Sequence, residues 1–451
     1  VEKAHKQIPV DERDWKYMAC STEPMPPDKD DWVIQVNTQG TYGFSSASWN
    51  WAVVASLLQR LAYYTCGLAF IFRFADDYLI VASSGAKRRC TFQVARFMAL
   101  FAMLRVPNKW AKTKGGFQTN FVGYLFVWDK LLGGLTDRRA SWLAAWAERI
   151  ADAGAAETRD LRGGLGRLSF SAALLRYLLP FLGPLYAWVA ILVPGAVWPI
   201  PAALVILLRW IAGKLRLCTL VGLKFPPVQC GRTLFKADAK AEGDVVVVGG
   251  FENPLPGQSL LQCRWFSFEL TVDNAPWAFA KHGEAFRAIA ALELFATLLC
   301  LMLFAPSAGT GANFVLELHC ITDNQGNEAL VVKNMTTKFP LYLILLELTE
   351  QLQANQWALD LKWQRRDLNQ DADDLTNGEF AKFSPALRLD PPLAELPWKV
   401  LPNLFKEAAS LHGQILEHKL SRKEAGLGAP PGTAVRKKKL KNVGIKARDP
   451  W

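Results

Sequence analysis

The stretch Ala69–Ser83 reads AFIFRFADDYLIVAS. Two apolar runs rich in aromatic and β-branched residues, AFIFRF and YLIVAS, flank Ala75-Asp76-Asp77. Such runs on either side of a short polar break predict two strands meeting at an acidic turn. Adjacent carboxylates repel. A stable fold tolerates them where water solvates the turn, or where a divalent cation neutralises them. Upstream, WNWAVVASLLQRLAYY (Trp49–Tyr64) reads as helix, so residues 1–125 are expected to mix strands and helices.

Further along, residues 137–217 read mostly as helix, with Thr136-Asp137 as a start signal. Gly222–Pro227 (GLKFPP) has the look of a linker. A second acidic set then emerges from separate elements. Asp238 is expected to end the strand TLFKAD, and a β-branched run, Val245–Val248, precedes Gly249-Gly250. Glu293 lies on EAFRAIAALELFATLL within a helix expected from about Glu284 to Leu303. Asp323 ends the strand FVLELHCITD, and Asn324 can cap the helix that follows. Asp373 falls in Asn369-Gln370-Asp371-Ala372-Asp373-Asp374-Leu375-Thr376, with Asp374 as a competing choice. A carboxylate on an apolar helix is costly unless paired or metal-bound. Four that converge could hold two Mg²⁺ and activate water against a phosphodiester. The plainer readings are a helix-surface glutamate for Glu293 and a strand-end residue for Asp323.

Composition bounds these readings. The chain has 451 residues, enough for two or three domains, and 51% hydrophobic residues exclude a disordered chain. The net charge is +11, and residues 419–451 hold ten basic and only two acidic groups. The excess therefore sits in a tail, around Arg436-Lys437-Lys438-Lys439-Leu440-Lys441, and is read as a solvated charge run, a nucleic-acid contact or a nuclear signal. Eight cysteines contain no CxxC pair, which points to reduced thiols in an intracellular protein, cytoplasmic or nuclear. Tyr177–Leu208 carries no charge and is long enough to cross a bilayer, but five prolines divide it. Leu294–Val315 is also uncharged and interrupted by Pro306, Gly309 and Gly311. Both are expected to form buried helices, with no membrane partner.

Read in order, the segments resemble a known family. Phe74-Ala75-Asp76-Asp77 resembles the catalytic hairpin of reverse transcriptases, with Phe for the usual Tyr. Val1–Val10 (VEKAHKQIPV) looks like the first palm motif of Gypsy-type and DIRS-type retroelements. Tyr42-Gly43-Phe44 through Ala47 and Trp49 resembles the motif that supports template and incoming nucleotide. Pro107–Gly116 (PNKWAKTKGG) looks like the Lys-bearing motif, and Phe121-Val122-Gly123-Tyr124 resembles the primer grip. Leu165–Tyr186 is similar to the connection that follows. The resemblance implies that Asp76 holds both metals, that Asp77 is a weaker ligand or electrostatic support, and that Lys112 approaches the leaving pyrophosphate, with Lys109 and Lys114 as competitors. It places His5 at the gate against ribose, and Gly43, Phe121 and Gly123 at the nucleotide and primer. Ser48 stands where the family has Pro. In that family an Asp precedes the residue aligned with Val1 and is the first metal ligand. The chain is therefore expected not to polymerise by itself.

Residues 233–380 resemble the ribonuclease H fold found downstream of reverse transcriptase in retroelements. Asp238, Glu293, Asp323 and Asp373 fall in the family's order, and Asn369-x-x-Ala372-Asp373-x-Leu375-Thr376 is the sharpest local match. The resemblance makes them catalytic metal ligands for Mg²⁺ (or Mn²⁺), with the motif register favouring Asp373 over Asp374. It departs at Lys240, where a small residue is usual, at the missing His between Asp323 and Asp373, and at an insertion around Pro254–Trp265.

The expected fold class is α+β and α/β multidomain. A partial reverse-transcriptase palm (1–125) is followed by a helical thumb or connection (126–217), a linker (218–233) and an RNase H-like α/β domain (234–380). A loose Pro-rich extension (381–418) and a basic disordered tail (419–451) complete the chain. The expected function is RNA-directed DNA polymerase with RNase H activity. Its implied partners are an RNA template, a DNA primer, dNTPs and an RNA–DNA hybrid. Two rival readings are a repurposed copy that only binds nucleic acid, and a membrane protein built on Tyr177–Leu208.

Overall fold

The structure is a computed structural model that describes residues 4–21, 28, 33–40, 45–83, 87–223, 228–279, 283–306 and 315–424. It is mixed α and β, with several small sheets rather than one dominant layer. The chain divides into two compact units, Val1–Trp128 and Asp129–Trp451.

In the first unit, β1 (Ala19–Cys20) pairs antiparallel with β2 (Gln35–Val36). Helix α1 (Ser45–Cys66) then leads into the hairpin of β3 (Phe70–Phe74) and β4 (Asp77–Val81), followed by α2 (Lys87–Met103). The acidic turn is thus where the alternating runs placed it, with Phe74 opposite Asp77. Helix α1 anchors that turn. The Trp51 indole donates to the Ala75 carbonyl at 3.0 Å, and the Tyr78 hydroxyl donates to the Ala55 carbonyl at 3.0 Å. Ala75 adopts φ 52°, a left-handed conformation that needs such support in a residue with a Cβ. Ile71, Phe97 and Phe101 form the core behind the hairpin, and Tyr78 meets Phe101 edge-on at 5.3 Å. Strands β5 (Gln118–Phe121) and β6 (Tyr124–Val127) close around Val122 and Gly123. Their φ values of 50° and 84° suit a two-residue hairpin.

The second unit opens with helices. Strand β7 (Leu132–Gly134) pairs antiparallel with β10 (Leu220–Gly222), and β8 (Ala155–Glu157) with β9 (Val197–Pro199). Between them run α3 (Asp137–Ala153), α4 (Thr158–Ala172), α5 (Leu179–Val189) and α6 (Ala202–Leu217). Helix α3 starts at Thr136-Asp137 as read from the sequence, with Thr136 at the N-cap position but making no side-chain capping bond. The uncharged stretch 177–208 is broken by its prolines into α5, β9 and the start of α6, and Phe181, Leu204, Leu207 and Leu208 are fully buried.

A five-stranded sheet follows, built from β11 (Val228–Glu242), β12 (Val245–Glu252), β13 (Trp265–Leu270), β14 (Leu316–Thr322) and β15 (Trp357–Trp363). Its order is β13-β12-β11-β14-β15; the first three strands are antiparallel, and β11, β14 and β15 are parallel. Helices α7 (Ile289–Phe304), α8 (Gln325–Lys333), α9 (Leu341–Ala354) and α10 (Gln370–Thr376) pack around it. Two successive glycines let helices close on β12 from both faces, since neighbouring strand residues point opposite ways. A Cβ on Gly249 would lie 3.0 Å from Leu375 Cβ of α10, and one on Gly250 would lie 2.3 Å from Cys300 Sγ of α7. Ala285–Phe304 is the one helical run among the described residues long and apolar enough to cross a membrane, and it forms the core beside this sheet.

Three expectations need correction. Strand β11 does not end at Asp238 but continues to Glu242, because β12 pairs with it through Glu242↔Val245. Residues 218–233 are not all linker: β10 and the start of β11 fall within them, and 224–227 lie outside the described residues. The stretch 381–418 is not loose throughout, since Leu401–Glu424 forms α11. The fully buried Glu347 explains this helix. Its carboxylate accepts backbone N–H bonds from Lys399, Val400 and Leu401 at 3.0, 2.7 and 3.0 Å, satisfying donors at the helix start. Leu404, Ala408 and Leu411 are buried along α11. The basic cluster 436–441 lies outside the described residues.

Candidate metal centre

Three of the four carboxylates singled out in the second unit converge. Asp238 comes from the middle of β11, Glu293 from the first turn and a half of α7, and Asp323 from the residue after β14. One oxygen from each lies within 4.8 Å of the others. Asp238 and Glu293 are only 3% and 6% exposed, so water solvates neither well. Backbone locks hold the three elements together. Buried Asn327 donates to the Ala290 carbonyl at 3.0 Å, joining α8 to α7. Asn324 caps α8 by accepting from Asn327 N–H at 3.2 Å, which fixes the chain just after Asp323. Asn369 donates to the Ala237 carbonyl at 3.1 Å, tying the start of α10 beside Asp238.

The centre is electrostatically unsatisfied. Thr376 Oγ1 donates to Asp238 Oδ2 at 2.8 Å. Glu293 Oε2 and Asp323 Oδ1 are buried and meet no donor from any other group among the described residues, while the two carboxyls lie close enough to share a proton between them. Burial pushes the Asp238 carboxyl up to about 6, with the charges of Asp323 and Asp373 adding and the Thr376 bond opposing. Burial, then the charges of Asp238 and Asp323, carries Glu293 well above the ordinary carboxylate range. Burial also raises Asp323, against the opposing charge of Arg366 and a hydrogen bond from the Glu293 carboxyl. Three clustered carboxyls with orphaned buried oxygens require either retained protons or a cation. An all-oxygen donor set suits a hard divalent ion such as Mg²⁺.

Asp373 stands differently. It lies on α10, close enough for its charge to raise Asp238, but its carboxylate is engaged by Arg366. Arg366 Nε donates to Asp373 Oδ1 at 3.2 Å alongside a shorter bond from Nη2, and Asn377 Nδ2 donates to Oδ2 at 3.0 Å. Asp374 points to other partners: Lys382 Nζ donates to it at 2.8 Å and Gln370 Nε2 at 2.9 Å. Burial opposes its charged form, yet those two bonds carry its carboxyl below the usual range. Lys240 bonds Asn377 Oδ1 at 2.9 Å and pairs with Glu242, rather than sitting on the carboxylates.

In the first unit, Asp76 and Asp77 sit side by side at the hairpin turn, Asp76 half-buried and Asp77 exposed. Among the described residues no third acidic, His or Cys group joins them. Lys112 is exposed on a short 3-10 turn, Trp110–Lys112. Phe121 and Gly123 belong to the β5–β6 hairpin. The backbone of His5 lies in the turn Ala4–Gln7 and its side chain is outside the described residues, as is Gly43.

Two contributors escaped the sequence reading as functional groups: Thr376, a motif letter given no role, and Arg366, part of an Arg365-Arg366 pair just before the motif. The dibasic pair was the available signal. No protein-family model matches the chain, and no curated protein matches it.

Proposed function

We propose that the second unit is a divalent-metal-dependent nuclease of the ribonuclease H type, acting on an RNA–DNA hybrid within a retroelement reverse-transcriptase polyprotein. The observation that carries this reading is the gathering of Asp238, Glu293 and Asp323 from three elements to within 4.8 Å, with two buried oxygens left without donors. The sheet supports it as well. Three antiparallel strands are extended by two parallel ones, and the first carboxylate, Asp238, sits on the central strand. Bound Mg²⁺ (or Mn²⁺) would activate a water and stabilise the charge that develops on the phosphodiester. The chain's own residues do the rest. The three carboxylates hold the cations, Thr376 orients Asp238, and Asn369 and Asn327 fix the elements that carry them.

The first unit belongs, on this reading, to the polymerase palm, with RNA template, DNA primer and dNTPs as partners. The support is the anchored turn bearing Asp76 and Asp77 and the tight β5–β6 hairpin. One observation favours a copy that binds nucleic acid without cutting it: the fourth carboxylate, Asp373, is tied to Arg366. Incubation of the full chain with a labelled hybrid and Mg²⁺, beside an Asp323→Asn control, decides between them. Cleavage that the control lacks is expected. Binding of the hybrid without any cleavage would replace the nuclease reading with the binding one.

A further inference from the structure

We infer that Arg366 is a gate on the metal centre, a positioning residue that keeps Asp373 out of the carboxylate cluster until a phosphodiester draws the guanidinium away. This inference rests on the proposed nuclease reading and deepens it by assigning a substrate-linked change to that site.

The geometry sets out the two sides of the gate. Asp373 is largely buried, its side chain 15% exposed, whereas the Arg366 side chain is 74% exposed. The carboxylate is fixed on α10, with Asn377 Nδ2 at 3.0 Å and Gln370 Nε2 at 3.4 Å on its second oxygen. The guanidinium has no comparable anchor: among the described residues its hydrogen bonds go to Asp373 alone. An ion pair with one solvated partner contributes little, so the pair can be exchanged. A phosphodiester can compete for Arg366. A phosphodiester offers a guanidinium two oxygens in a fork that matches its donors, and Arg is well suited to that recognition.

The charge of Arg366 also acts on the cluster itself. It lies close enough to act on Asp238, Glu293 and Asp323, so it already supplies part of the positive charge that the cluster lacks. Glu293 Oε2, buried and without a donor, shows that the guanidinium does not complete the site. In the resting protein, then, three carboxylates are open to a cation and the fourth is withheld. When Arg366 moves to the phosphate, Asp373 becomes available and the local positive charge falls, and both changes raise the demand for a divalent ion. Metal loading is thereby coupled to the arrival of nucleic acid.

The test uses the full chain and Mn²⁺ as the probe, read by titration calorimetry and by the loss of free-ion paramagnetic signal. The wild type, Arg366→Met and Arg366→Lys are compared without substrate, and the wild type again with a hybrid containing a non-cleavable linkage. The expected result is weak binding of about one ion by the wild type, and at least fivefold tighter binding with a second ion in Arg366→Met. Arg366→Lys, which keeps the charge, should stay near the wild type. The non-cleavable hybrid should bring the wild type to the Arg366→Met stoichiometry. Arg366→Met should nonetheless cleave hybrid more slowly, because the phosphate has lost its guanidinium. Equal affinity and stoichiometry in wild type and Arg366→Met would overturn the gate while leaving the nuclease reading intact. Absence of Mn²⁺ binding to either protein, with thermal melts showing both folded, would overturn both.

Discussion

The chain holds two acidic constellations that differ in the opposite sense from their spacing in sequence. Asp76 and Asp77 are adjacent, and they stay at a solvent-facing turn that no third ligand joins among the described residues. Asp238, Glu293 and Asp323 are dozens of residues apart, and they meet in a buried cluster. Adjacency in sequence carries little information, because water at an exposed turn relieves most of the repulsion between two carboxylates. Convergence of distant carboxylates in the interior opposes their hydration and mutual repulsion. Convergence against that cost marks the cluster as the candidate functional site.

The widest separation between the two regions should appear in catalysis. On the proposed nuclease reading, Asp323→Asn and Asp238→Asn are expected to lower cleavage of an RNA–DNA hybrid by at least about 100-fold, since each would remove a metal ligand and its charge. Asp77→Asn should leave the same assay within about twofold. A comparable loss in Asp77→Asn would break the comparison at once, by making the exposed pair part of the nuclease.

Stability should separate them next, through its dependence on pH and metal. A carboxyl whose folded pKa is raised stabilises the fold fully only below its unfolded pKa, and that share is lost as pH rises through the folded value. For Asp238 the window runs from about 4 to about 6. A two-unit rise corresponds to roughly 3 kcal/mol at most, and Glu293 and Asp323 shift in the same direction. The metal-free protein should therefore melt higher at pH 5 than at pH 7.5, and Mg²⁺ should restore the difference at pH 7.5. Glu293→Gln should raise the metal-free melting temperature at pH 7.5 and remove the Mg²⁺ increment. Calorimetry in EDTA and in Mg²⁺ at the two pH values reads all of this. A melting temperature indifferent to both would mean that the cluster is not strained.

Packing gives a third contrast. Gly250→Ala should cost about 1–3 kcal/mol by denaturant melts, because its Cβ would press on Cys300 Sγ at 2.3 Å and on Phe266. Gly115→Ala in the first unit meets nothing within 4 Å and should be neutral within about 0.5 kcal/mol. Should Gly250→Ala prove neutral instead, α7 would have freedom to shift, and the position of Glu293 would be less constrained than the cluster requires.

These contrasts also show what was legible from residues alone. The hairpin at Asp76-Asp77, the helix cap at Asn324, and the carboxylates at 238, 293 and 323 were readable. Each rests on local alternation, on a capping side chain, or on a charge set against an apolar background. What depended on distant partners was not. Strand β11 runs past Asp238 because β12 pairs with its end, and α11 forms where Glu347, far upstream, caps it. The engagement of Asp373 by Arg366 left no periodic trace, since a charged residue in a connection is solvated in most proteins.

The finest distinction is between Asp373 and Asp374, neighbours that the motif register alone separates. In the structure their environments diverge. Asp373 is close enough to raise Asp238 and is paired with an exposed guanidinium, whereas Asp374 is tied to Lys382 and Gln370. Asp373→Asn should thus lower hybrid cleavage by about 10–100-fold, the range for a group that supports metal binding. Asp374→Asn should leave cleavage within about twofold. Its effect should fall on stability, with the sign opposite to that of Asp238. The Asp374 carboxyl is held below the ordinary range, so its charge stabilises the fold at neutral pH and that share fades as pH falls through the folded value. Asp374→Asn should therefore be destabilising at pH 7.5 and less so under acid conditions. Paired melts and cleavage assays on the two variants decide the register. If Asp374→Asn abolished cleavage while Asp373→Asn spared it, Arg366 would be guarding a residue that the reaction does not use.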